Sequence, residues 1–196
     1  GRIRIEILIE SASAVERVFE IARSSRRLVG LIFGSYDYWA SLGLDLSLYR
    51  HDHPLLNYAR VRIVQAAATV GVPAIAEMTT NFPTRDKSED ERAAAKEEFR
   101  RDALLARDYG FVGKWTGIPD QTGLALEVFA VDDSAIQVAV REAHAFLEQE
   151  RSGRGAVMIA GKMADRATDR VHRTLLKKAY ALGKLDTELA RELGII

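Results

Sequence analysis

The chain has 196 residues, 47% of them hydrophobic and 29% charged, a globular balance that excludes a disordered or fibrous chain and is enough for a sizeable core. Lys and Arg number 28 and Asp and Glu also 28, so the net charge is zero and the broad basic footprint of a nucleic-acid binder is missing. With no cysteine there is no disulfide framework, thiolate metal site or cysteine nucleophile, and a soluble protein of the reducing cytoplasm is expected.

The first element is a strand over Ile3–Glu10, alternating and apolar. It opens without Met or a preceding turn, which suggests an upstream part. Ser13 with Glu16 makes a capping-box pattern, and Ala14, Val15, Val18, Phe19 and Ala22 recur at helical spacing. A second strand, Leu28–Phe33, opens into Gly34-Ser35-Tyr36-Asp37. From there to Pro54 the Gly- and polar-interrupted stretch is expected to be a long functional loop, followed by a helix over Tyr58–Val70 closed by Gly71. A short strand, Val72–Ala76, leads through Met78-Thr79-Thr80-Asn81-Phe82-Pro83 to a charged helix from about Lys87 to Tyr109, whose charges are expected on the wet outer face. A fourth strand, Phe111–Trp115, ends at Thr116-Gly117-Ile118-Pro119. From Asp133 the pattern turns helical, with Ile136, Val140, Ala143 and Leu147 on one face, then a Gly-rich link at 152–155 and helices near 166–182 and 186–193.

Strands alternating with helices call for a parallel sheet of βα units, divided here as 1–131 and a helical segment, 132–196. No apolar run is long enough to cross a bilayer, and no membrane partner is expected. Neighbouring parallel strands lie ~4.8 Å apart and ligands of such folds bind at the carboxyl ends of the strands. Glu10 and Asp37, each just after a strand, could therefore reach one divalent ion. Other candidates read more simply as structure. His51-Asp52-His53 is incomplete as a tetrahedral zinc site and is expected to be a solvated loop, while His144 and His172 fall on helix surfaces. Tyr36, Tyr38 and Trp39 read as rim or core packing that could also wall a pocket, and Asp165 as a helix N-cap.

The residues Ile9-Glu10, Phe33-Gly34-Ser35-Tyr36-Asp37, Tyr58-Ala59-Arg60, Val72-Pro73-Ala74-Ile75, Gly110-Phe111-Val112-Gly113-Lys114-Trp115 and Gly161-Lys162-Met163-Ala164-Asp165, in this order, resemble the HpcH/HpaI aldolase and citrate lyase beta-subunit family, in its malyl-CoA and citramalyl-CoA lyase branch. The resemblance implies the C-terminal half, strands five to eight, of a TIM (β/α)8 barrel with a C-terminal helical extension. It implies Mg²⁺, with Mn²⁺ as a substitute, on Glu10 and Asp37, and a CoA thioester as substrate. Gly34, Ser35 and Tyr36 would hold the substrate carboxylate, Met78 and Thr79 the substrate pocket, and Ile118 and Pro119 the CoA end. Asp165 would be the acid or base of a lid reaching a neighbouring subunit in a homo-oligomer, a trimer or hexamer. Where family members usually carry Ile-His-Pro this chain has Gly117-Ile118-Pro119, and the family's catalytic Arg would lie on an earlier strand. The expected reaction is Mg²⁺-dependent cleavage or formation of a 3-hydroxyacyl-CoA such as malyl-CoA, with acetyl-CoA and a 2-oxo acid such as glyoxylate as partners. The alternatives are a malate synthase or malyl-CoA thioesterase, and a non-catalytic assembly subunit.

Overall fold

The β-branched run Ile5–Ile9 forms β1, and Leu28–Phe33 forms β2 beside it, parallel, with Ile9 opposite Phe33. The computed structural model describes residues 3–151, 156–159 and 162–196. Between the two strands the helix expected from Ser13 starts earlier: Ser11 is the N-cap, accepting from Ala14 N at 3.2 Å, and Ala12–Glu16 forms α1. The chain breaks stride at Arg17 and resumes as α2, Val18–Arg23, so that Val15, Val18 and Ala22 face inward.

The stretch after β2 is not the open loop expected. Ser35–Ser41 forms a short helix, α3, and Leu46–Leu48 a 3₁₀ turn started by the Asp45 side chain, which accepts from Ser47 N at 2.7 Å. Pro54 takes the first position of the long helix α4, Pro54–Val70, where its missing N–H costs nothing; His53 Nδ1 caps it, and Gly71, at φ +71°, closes it in a left-handed turn. The next strands are shorter than expected: β3 is Ala74–Ala76 and β4 only Gly113–Lys114. Between them α5, Glu89–Asp108, starts from a complete capping box of Ser88 and Glu91. Beyond β4 the turn at Pro119 begins a helix that the sequence reading did not foresee, α6, Pro119–Phe129.

The four strands make one parallel sheet in sequential order β1-β2-β3-β4. Ile9, Leu31, Phe33, Ile63, Phe99 and Leu124 belong to one core that covers it. The described residues divide into two compact units, Gly1–Phe129 and Ala130–Ile196.

In the second unit α7, Asp133–Arg151, packs through Ile136, Ala139 and Ala143 on Leu176 and Ala179 of α8, Arg166–Ala181, and on Leu193 just beyond α9, Thr187–Glu192. An antiparallel hairpin, β5 (Ala156–Ile159) and β6 (Lys162–Asp165), precedes α8; the sequence carried no turn signal strong enough to predict it. The Gly-rich link at 152–155 and Gly161 lie outside the described residues. No described helix is long and apolar enough to cross a membrane.

Candidate active site

The residues that follow the carboxyl ends of all four parallel strands meet in one cleft of about 190 Å³. Glu10 comes from the end of β1, Gly34, Ser35, Tyr36 and Asp37 from the end of β2, Met78 and Thr80 from the end of β3, and Trp115 from the end of β4. Glu10 can lie against the start of α3 only because residue 34 is glycine. A Cβ there would stand 2.6 Å from the Glu10 Cβ and 3.0 Å from its Oε2, closer than unbonded atoms allow. The Gly34 φ of −108° is open to any residue, so the requirement is close approach and not backbone conformation. Asp37 sits three residues on, in the first turn of α3. Neither carboxylate takes a hydrogen bond or an ion pair from the described residues.

Two acids sharing a cleft without a counter-cation, on rigid strand ends, form a hard-oxygen donor set of the kind that suits Mg²⁺ or Mn²⁺, which keep most of their coordination for water and substrate. Tyr36 rims the same cleft, with its OH 3.0 Å from Thr80 Oγ1, while the buried Ser35 shares a 2.8 Å hydrogen bond with the Tyr49 OH.

One residue expected in the pocket falls elsewhere, and the other three expected site residues have local structural roles. Thr79 is fully buried and turns away from the cleft; its hydroxyl donates to Asp102 Oδ2 at 2.8 Å and its carbonyl accepts from Gln121 Nε2. Its neighbour Thr80 lines the cleft instead. Ile118 and Pro119 start α6, the Ile118 carbonyl accepting from Gln121 N at 3.1 Å. Asp165, in the second unit, is the N-cap of α8; it accepts from Ala167 N and Thr168 N at 2.9 and 3.0 Å, and those bonds hold its carboxyl below the usual range.

Sequence reasoning missed a buried ionic cluster beside the cleft. Glu77, directly after β3, accepts from Arg60 of α4, which itself is 1% exposed; the Nε–Oε1 bond is 3.1 Å and Nη2 also donates to Oε1. Lys114, at the end of β4, donates to the Glu77 carbonyl at 2.6 Å. His51, expected in solvated loop, lies between two acids, with Nε2 3.2 Å from Asp102 Oδ2 and Nδ1 3.6 Å from Glu77 Oε1. The longer distance is an electrostatic contact and not a formed hydrogen bond. Burial alone would raise the Glu77 carboxyl, but the His51 ring and the Arg60 and Lys114 charges overturn it and hold Glu77 well below the carboxylate range. Asp102 goes the other way: burial raises it, and His51, Thr79 and Lys114 offset only part. Burial likewise lowers Lys114. His51, Glu98 and Asp102 bring ligand atoms within 4.8 Å of one another, but the Lys114 ammonium, close enough to act on Asp102, opposes a cation there. Two signals pointed to the cluster: Glu77 and Lys114 each directly follow or end a strand, and Asp102 interrupts the apolar face of α5 between Phe99 and Ala103.

Comparison with known proteins agrees with the fold. Residues 1–116 match the model of the HpcH/HpaI aldolase/citrate lyase family. An L-malyl-CoA/beta-methylmalyl-CoA lyase of Rhodobacter capsulatus is 33% identical over 193 residues, which is 91% of this chain and 57% of that relative. The chain thus spans little more than half the length of such relatives. A citrate lyase structure from Burkholderia xenovorans superimposes with a TM-score of 0.76 at 24% identity, covering 98% of this chain and 58% of the other. The CitE protein of Mycobacterium tuberculosis, solved in complex with magnesium, acetoacetate and coenzyme A, superimposes with a TM-score of 0.66 at 22% identity, over 92% and 62% of the two chains. A parallel α/β sheet with a cleft at its carboxyl edge, together with this match over more than half of the sequence, establishes that the chain belongs to the HpcH/HpaI aldolase/citrate lyase family.

Proposed function

We propose that the chain carries the metal-binding half of a Mg²⁺-dependent carbon–carbon lyase acting on a 3-hydroxyacyl-CoA such as malyl-CoA, yielding acetyl-CoA and a 2-oxo acid such as glyoxylate. On this reading the four strands are strands five to eight of a (β/α)8 barrel, and 132–196 is a lid and oligomerisation segment of a homo-oligomer. The observation that carries it is the shared cleft of Glu10 and Asp37, two carboxylates with no partner among the described residues. Names given to relatives support the substrate class.

Glu10 and Asp37 would hold Mg²⁺, or Mn²⁺ in its place. A divalent ion there supplies Lewis-acid polarisation of the oxygen that becomes the 2-oxo carbonyl. Gly34 gives room for Glu10, and the Ser35 and Tyr36 amides at the start of α3 point positive partial charge toward a substrate carboxylate. Met78, Thr80 and Trp115 line the remaining wall. In the cleavage direction a base removes the proton of the 3-hydroxyl, the C2–C3 bond breaks, and its electron pair passes to the thioester as an enolate. Asp165 would serve as that acid or base from a neighbouring subunit, its carboxylate kept ionised by the α8 amides.

The test is product analysis with malyl-, citramalyl- and methylmalyl-CoA, with and without Mg²⁺, on wild type and Asp37→Ala. Acetyl- or propionyl-CoA should form only with Mg²⁺ and only in wild type. Free CoA in place of the acyl-CoA would indicate the synthase or thioesterase alternative, and equal turnover by the variant would remove the lyase reading.

A further inference from the structure

We propose that His51 is a positioning residue for the cleft: held between Asp102 and Glu77, it fixes the 45–53 segment, whose Tyr49 in turn fixes the turn of α3 that carries Asp37. The proposal rests on Glu10 and Asp37 being the cation ligands.

The 3₁₀ turn of this segment buries none of its residues, and Leu46 and Leu48 are 64% and 56% exposed, so the apolar packing of the segment comes from Tyr49 and His53 on Trp39. Polar and aromatic contacts hold it at two ends. Toward the cleft, Trp39 Nε1 donates to the Asp45 carbonyl at 3.1 Å, the Tyr49 OH shares its hydrogen bond with Ser35, and the Tyr49 ring stacks on Tyr36 at 4.4 Å. Away from the cleft, Arg60 Nη1 donates to the His51 carbonyl at 2.6 Å, and the imidazole reaches Asp102 on α5 and Glu77 after β3. Tyr49 and His51 also touch each other edge to face, with centroids 5.6 Å apart.

The His51 ring therefore joins α5, and together with Arg60 the β3 end, to the wall that presents Ser35, Tyr36 and Asp37. Truncating it leaves Asp102 with the Thr79 hydroxyl and the Lys114 charge, and removes the ring edge that faces Glu77. Loss of the ring leaves a gap into which the largely exposed 45–53 segment can shift, carrying Tyr49 with it. Metal sites and catalytic centres are sensitive to displacements of this size, a shift of ~1 Å sufficing for a ~10²-fold loss.

The experiment is Mn²⁺ titration, followed by calorimetry or the spin resonance of the free ion, on the full chain with the variants His51→Ala, His51→Gln, Tyr49→Phe and Asp37→Asn, alongside melting temperatures. His51→Ala should weaken Mn²⁺ binding about tenfold, at the low end of what supporting shells contribute to metal affinity. His51→Gln, whose amide keeps a polar N–H group within reach of Asp102, should recover most of that loss. Tyr49→Phe should weaken binding in the same direction without disturbing the ionic cluster, and it decides the matter if His51→Ala does not fold. Wild-type affinity in Tyr49→Phe or in a folded His51→Ala, with binding abolished in Asp37→Asn, overturns the positioning role and leaves the metal site intact. Wild-type affinity in Asp37→Asn overturns the metal site itself and the positioning role with it.

Discussion

Glu77 shows how a buried charge is tolerated at a strand end. Its carboxyl is depressed in the folded state, so it contributes stability that is present above its ordinary value near 4.5 and is lost as pH falls below it. Asp102 is shifted upward and has the opposite sign, adding stability only in acid and losing it as pH rises. Glu77→Gln should therefore flatten the fall in melting temperature as pH drops below about 4.5, measured by circular dichroism, whereas Asp102→Asn should raise stability at neutral pH relative to acid. Removing Arg60 instead takes the hydrogen-bonded ion-pair partner from a buried carboxylate; Arg60→Ala is expected to cost about 3–5 kcal/mol in denaturant unfolding. Gly34→Ala presses a methyl onto Glu10 and should weaken Mg²⁺ binding far more than it lowers the melting temperature. Of these residues the sequence pointed to Glu10, Gly34 and Asp37, because they follow strand ends in order. It hid the role of His51, since a loop histidine looks solvated until α5 and β3 close on it. Thr79 was misread for a similar reason: alternation along the chain after β3 puts Thr80, not Thr79, toward the cleft.

Among the elements, helices with strong end signals were legible and short ones were not. The capping box of Ser88 and Glu91 and the glycine at 71 mark α5 and α4 within a few residues. Ser88→Ala should cost about 1 kcal/mol by the loss of that cap, read from urea unfolding. α3 and α6 escaped notice because each begins at a residue, Gly34 or Pro119, that also signals a turn. The hairpin of β5 and β6 has no alternating pattern to reveal it. At Asp165 the cap and the proposed acid–base role separate cleanly: Asp165→Asn keeps a good capping residue and removes the ionisable carboxyl. The variant should retain wild-type helicity while losing turnover; full turnover would limit Asp165 to capping.

At the scale of the whole molecule, β1 and β4 each pair on one side only among the described residues, which leaves two open sheet edges in the first unit. Open edges recruit other strands. If the sheet is half of a barrel, residues 1–196 alone should self-associate under light scattering, and joining the strands that complete the barrel should give a single defined species. The parallel order of the sheet followed from the βα alternation.

The central claim is that Glu10 and Asp37 hold one divalent cation between them. Calorimetric titration of Mg²⁺ into wild type, Glu10→Gln and Asp37→Asn tests it most directly. One ion per chain in wild type, lost in each single variant with the fold retained, is the expected result. Undiminished binding in either variant would contradict it.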